Sequence, residues 1–275
     1  MRNKRSILPG ILALACLMTG CGGEQKGGEL TLEQANPTTQ SVVANLNCPY
    51  QIFSSEADHK EIMEAYEQAV LQGQEEGFTP VLVRADDVLD EHLGMVMEEG
   101  YSVEEVLKAE PESGQQWLEE TFQLFWNGID GFDMDAFVGH YQGKATVVDS
   151  YSALQGYFSL MENTETILLK VPTTKPWEVV AYVPFGGWNE CPEAEKMMAV
   201  CKHWYEKYGA VPVTISHDVM EMRVPAPVAG QDAIQVAKEH FAFDPDRVLQ
   251  GTETATLSEL ADCLAVSKIW FFWWD

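Results

Sequence analysis

Ala194-Glu-Lys-Met-Met-Ala-Val-Cys-Lys-His-Trp-Tyr-Glu-Lys-Tyr-Gly-Ala-Val-Pro-Val-Thr-Ile-Ser-His-Asp-Val-Met-Glu-Met-Arg-Val224 is the stretch that decides the fold class. Ala194, Met197, Met198, Cys201, Trp204, Tyr205 and Tyr208 recur at three- and four-residue intervals, the spacing of one helical face. Gly209 ends that pattern, and the period drops to two over Val211, Val213 and Ile215. Ser216-His217-Asp218 reads as a turn into a second strand whose Met220, Met222 and Val224 face inward. A helix followed at once by two strands indicates an α+β fold.

Working outward, residues 231–241 keep a helical pattern, and Thr256-Leu-Ser-Glu259 is a capping box opening a helix with Leu257, Leu260, Ala261 and Leu264. The chain ends Ile269-Trp-Phe-Phe-Trp-Trp-Asp275. Aromatics on both sides of a period-two segment imply a central strand covered on both faces. Upstream, Trp177, Val179, Ala181 and Val183 alternate like a strand, and Thr166–Val171 reads as another, added at an edge. From residue 177 the order is therefore β-α-β-β-α-(α)-β, the split βαβ plan of a ferredoxin-like sandwich. Before it lies a mostly helical α/β part, residues 58–150, packed on or beside the C-terminal domain of residues 165–275. In that first part Ile62, Ala65, Tyr66, Ala69 and Val70 share a helical face. Phe78–Val83 reads as a strand, Asp86 or Asp87 caps a helix, and Ser102-Val-Glu-Glu105 forms a second capping box.

The N-terminus carries a different signal. Arg2, Lys4 and Arg5 precede a short apolar run from Ile7 to Met18, too short to span about 30 Å of hydrocarbon. The run closes on Leu17-Met18-Thr19-Gly20-Cys21, which resembles a bacterial lipobox. That resemblance implies cleavage after Gly20, lipidation of Cys21, and location at the cell envelope on the extracytoplasmic face, anchored to the membrane. Residues 1–20 are then the signal peptide and residues 21–57 a flexible tether, rich in Gly, Gln, Thr and Ser. Cys48, Cys191, Cys201 and Cys263 remain, an even number that permits disulfides without specifying any. Cys201, on the Met-rich helical face, reads as a buried, unpaired thiol.

Across all 275 residues, 43 Asp and Glu against 17 Lys and Arg give a net charge of −26. Phosphate contacts need a basic face, so nucleic acid is excluded as a partner. An apolar fraction of 46% supports a packed core.

Pro184-Phe-Gly-Gly-Trp-Asn189, Phe241-Ala-Phe-Asp-Pro-Asp246, Gln250-Gly251 and the closing Trp270-Phe-Phe-Trp-Trp-Asp275 together resemble a bacterial family, domain of unknown function 4253. The likeness covers residues 165–275, and more loosely the chain from residue 75. It implies a shared fold and no known activity. In that family a Cys often precedes the Pro; Asp244 stands there in this chain, so no thiol chemistry carries over to that position.

Several residues are candidates for chemistry. The Gly186-Gly187-Trp188-Asn189 turn precedes a helix, where free N–H groups suit an anion, or where Asn189 simply caps the helix. Trp274 and Asp275 read either as pocket-lining groups or as the end of a core strand. Asp246, with Asp244 and Gln250 nearby, offers paired carboxylates for acid–base work, or an Asp-Pro turn. Asp275 adds the terminal carboxylate and calls for a cation such as Arg223 or Arg247. No metal-binding, P-loop or nucleophile-elbow motif occurs, and no cofactor is expected. The reading is a lipid-anchored binding or interaction module for an unidentified protein or small ligand, leaning away from catalysis. The alternative is an envelope-acting, hydrolase-like enzyme using acidic residues near the Trp188 turn.

Overall fold

The computed structural model describes residues 28–109, 113–127, 129–155 and 164–275. Residues 1–20, expected as a signal peptide, and Cys21 lie outside the described residues. Seven strands form one sheet: β1 (Glu29–Leu30), β2 (Tyr50–Phe53), β3 (Thr79–Arg84), β4 (Thr166–Val171), β5 (Val211–Ile215), β6 (Val219–Arg223) and β7 (Ile269–Trp273). Their order across the sheet is β1-β2-β4-β3-β5-β6-β7. Only the β3–β5 pair is parallel; the other neighbours run antiparallel.

Twelve helices are described. The first six are α1 (Pro37–Leu46), α2 (His59–Glu76), α3 (Asp87–Glu98), α4 (Val103–Lys108), α5 (Gly114–Asn127) and α6 (Met134–Val138). The rest are α7 (Ser152–Gln155), α8 (Val179–Tyr182), α9 (Ala194–Tyr208), α10 (Gln231–Phe243), α11 (Asp246–Leu249) and α12 (Leu257–Leu264). Local chemistry sets their ends. Asp86 caps α3 through Leu89 N, Ser102 caps α4 through Glu105 N, and Thr256 caps α12 through Glu259 N. Gly209 closes α9 in the left-handed conformation, open to it for want of a Cβ.

Alternation along the strands sorts side chains onto two unequal faces. Val81 and Val83 of β3, Ile167 and Leu169 of β4, and Trp270 and Phe272 of β7 join α1, α3, α9, α10 and α12 in the main core. Leu82, Leu168 and Ile269 turn to the other face, against Tyr66 of α2 and Leu154 of α7. Trp204 of α9 sits at the centre of the large core. Its ring stacks on Phe272 at 5.3 Å and meets Trp270 and Phe243 edge-on.

The structure corrects several expectations. Residues 177–183 are not a strand: Pro176 starts a tight 3-10 turn that runs into α8, and Val179, Val180, Ala181 and Val183 are all buried. Because every side of the segment is covered, its apolar alternation carried no information about period. The β-α-β-β-α-β ferredoxin-like plan therefore lacks its first strand. The parallel neighbour of β5 is β3, from the N-terminal half, and both halves share one sheet. Residues 21–57 are not tether throughout, since β1, α1 and β2 fall within them. Asn36 caps α1 through Thr39 N, Pro37 opens it, and Val42, Val43 and Leu46 are buried. Finally, β4 lies between β2 and β3, where an edge strand was expected, and β7 is an edge strand where a central one was expected.

Candidate functional site

The residues singled out from the sequence gather at one end of the sheet, where β3 and β5 finish and β6 begins. Asn189 Nδ2 donates to Asp275 O (2.7 Å), and Asp275 N donates to Asp246 Oδ2 (3.2 Å). Gln250 Nε2 donates to Asp246 Oδ1 (2.6 Å). The side chains of Asn189, Asp246 and Gln250 thus tie the main chain of Asp275 to α11. Trp274 is core: its indole N–H donates to Phe243 O (3.3 Å), and its ring lies against Phe185 and Phe243. Trp188 is half-buried and donates to Phe185 O (2.7 Å), bracing its own turn. Gly186 is required there, since a Cβ would stand 2.1 Å from Pro192 O. Asp275 takes neither arginine as a partner. Arg223 pairs with Glu67 (2.5 Å), and the Arg247 guanidinium donates to Gly251 O (3.2 Å).

Beneath this surface layer lies a buried polar network that sequence reading did not assemble. Asp244 is fully buried. Its two oxygens accept from Arg247 N (3.0 Å) and Trp273 N (2.8 Å). Burial pushes its carboxyl up to about 7, against the pull of those two donors and of Arg247. The Cys191 thiol is also pushed up, by burial first and then by the charge of Asp244. His217 stands between Asp86 Oδ1 (3.0 Å) and Asp218 Oδ2 (3.3 Å). Burial opposes its charge, but the two carboxylates prevail and raise its pKa to about 9. Asp218 also accepts from the Trp273 indole (3.0 Å) and from Ser216 Oγ (3.0 Å). On the opposite sheet face Glu221 is held by Ser152 N (2.6 Å), Ser152 Oγ (2.9 Å), Ala153 N (3.3 Å) and Thr214 Oγ1. These acids are engaged by main-chain and side-chain donors, the arrangement of groups that fix structure. Cys48, Cys191, Cys201 and Cys263 are all buried and unpaired. Among the described residues no three His, Cys, Asp or Glu side chains converge as a metal ion requires.

An open region adjoins this network. A cavity of about 550 Å³ lies beside β7, lined by Phe271, Val148, Ser152, Arg247, Gln250, Gly251, Glu259 and Cys263, among others. Of the candidate ligand-binding residues Trp188, Asn189, Asp246, Gln250, Trp274 and Asp275, only Gln250 lines it. Arg247, only 9% exposed, is its distinctive group. The guanidinium makes one hydrogen bond among the described residues, to Gly251 O, and its Nε is buried with no partner. Burial lowers the arginine pKa, while the charges of Cys263, Asp244 and Glu259 oppose that. Glu259 does not pair with it closely, because its oxygens accept from Glu253 N, Thr254 N and Thr254 Oγ1. Gly251 must be glycine for contact, since a Cβ there would stand 2.6 Å from Arg247 O and 3.0 Å from its Nη1. The Gln250-Gly251 pair was legible in the sequence; Arg247 as the cavity cation was not, because its importance comes from burial.

The geometry defines an α+β protein with a locked polar network at one sheet end and a cationic cavity at the adjoining sheet edge. Residues 167–275 match a family described as "Domain of unknown function (DUF4253)". The matched span contains Arg247, Gln250, Gly251 and β7. Comparison with curated proteins and with solved structures gives no match.

Proposed function

We propose that this chain is a lipid-anchored, extracytoplasmic binding module that takes a small carboxylate-bearing ligand in the cavity beside β7. The anchor rests on the Leu17–Cys21 motif behind its basic and apolar start. The carrying observation for the ligand is Arg247, a buried cation at the wall of a 550 Å³ cavity, whose guanidinium makes one hydrogen bond among the described residues. A buried charge without a close counter-ion is costly, and an incoming carboxylate offsets that cost with a charge-assisted hydrogen bond. The cavity falls in the range of about 300–1,000 Å³ usual for small-molecule sites. Asp244 and Asp246, the acids that an envelope-acting hydrolase would use, are both held by main-chain N–H groups, which favours binding over catalysis.

Phenylacetate is a suitable probe, with a carboxylate for Arg247 and a ring for Val148 and Phe271. It should raise the melting temperature of the full chain with the logarithm of its concentration, by about 2.7 kcal/mol of stability at a hundred times its Kd. Phenylacetamide does not, and Arg247→Met abolishes the response. Equal shifts with acid and amide, or an undiminished shift in Arg247→Met, would refute the site.

A further inference from the structure

The pairing of β6 with β7 shows which main-chain groups face the cavity. Trp274 N donates to Asp218 O (3.1 Å) and Val224 N donates to Lys268 O (2.9 Å). Hydrogen-bonded and non-hydrogen-bonded pairs alternate along an antiparallel ladder, so Trp270 and Phe272 also direct their N–H and C=O toward β6. Ile269, Phe271 and Trp273 therefore direct theirs outward, off the sheet edge. Trp273 confirms the phase, because its N–H meets Asp244 Oδ2. At the other end Val148 packs against the cluster containing Ile269, and its own N–H is held by Ser267 Oγ (2.9 Å). Between them, the outward N–H and C=O of Phe271 meet no partner among the described residues.

That gap opens into the cavity. Ser152 and Val148 line it from one sheet face, Arg247 and Cys263 line it from the other, and Phe271 lies between. The cavity thus sits directly off the edge of β7. It combines a donor and an acceptor at strand geometry, without a partner among the described residues, with a buried cation.

We infer that the cavity takes the C-terminal residues of an extended peptide, whose main chain adds to β7 at Phe271 and whose terminal carboxylate meets Arg247. This rests on the carboxylate-binding reading above and specifies the ligand class. Strand addition supplies affinity through main-chain bonds, and capture of a chain terminus supplies the charge contact. Asp244 and Val148 occupy the edge on either side, leaving room for a chain end and not for a through-running strand from a second copy. The lining of Phe271, Val148 and Cys263 suits an apolar side chain next to the terminus.

The test compares three pools on the full chain: N-acetylated tripeptides with free carboxylates, the same tripeptides as C-terminal amides, and the same acids with N-methylated backbones. Ligand-observed NMR reads affinity, and hydrogen exchange reads protection of the Phe271 amide. The acids should bind at least tenfold more tightly than the amides and the N-methylated acids, and should slow exchange at Phe271 at least tenfold. Arg247→Met should remove the preference for acid over amide. N-methylated acids binding as well as their parents, or phenylacetate protecting Phe271 equally, overturns strand addition and leaves the carboxylate site standing. Failure of both peptides and phenylacetate to bind overturns the two together.

Discussion

His217 joins three separate parts of the chain. Its ring contacts Asp86, which also caps α3 through Leu89 N (2.9 Å), and Asp218, which also accepts from the Trp273 indole. Its pKa of about 9 lies above the ordinary value of 6.5, so the folded state holds a proton that the unfolded chain releases earlier. The stabilisation is fully present below pH 6.5 and is lost as pH rises through 9. His217→Gln should therefore be destabilised most at pH 6, and the deficit should shrink by pH 9.5. Urea unfolding at the two pH values checks this; a deficit independent of pH would show that the charge plays no part. The Ser216–Asp218 turn and a cap at Asp86 or Asp87 were both legible in the sequence. Their meeting was not, because it depends on the parallel pairing of β3 with β5, which no local pattern encodes.

At the scale of elements, β7 shows what alternation can and cannot reveal. Its strand character and its two aromatic sides were legible. Its place in the sheet was not, because the sequence does not say whether a strand's flank is covered by another strand, by a side chain such as Asp244, or by a cavity. The two sides differ in energy. Phe272 is fully buried, stacked on Trp204 and edge-on to Phe243 at 5.1 Å, whereas Phe271 is half-exposed at the cavity. Phe272→Ala should cost about 3–5 kcal/mol, the usual range for deleting a core aromatic, and Phe271→Ala less than half as much. Equal losses in denaturant titrations would mean that the cavity side of β7 is packed like the core. Helix α8 teaches the converse: a segment buried on all sides alternates by accident, and burial decides its conformation.

Across the whole molecule, the α+β class and most helices followed from periodicity and capping. The division at residues 150–165 did not hold as a structural boundary, since Val81 pairs with Leu169 and Leu82 with Thr214 within one sheet. Apolar runs such as Val81–Val83 and Ile167–Leu169 announce buried strands but do not choose their partners. The candidate site shows the same limit. Asn189, Asp246, Gln250 and Asp275 do converge, yet as a latch on the chain end, while the open chemistry lies at Arg247, the residue after Asp246. The proposed anchor at Cys21 and the cationic cavity beside β7 are both read by native mass spectrometry of the full chain extracted from membranes in mild detergent. The mass should correspond to a chain beginning at acylated Cys21, carrying a small adduct that Arg247→Met loses. A chain without acyl mass, or an adduct that survives Arg247→Met unchanged, would contradict this account.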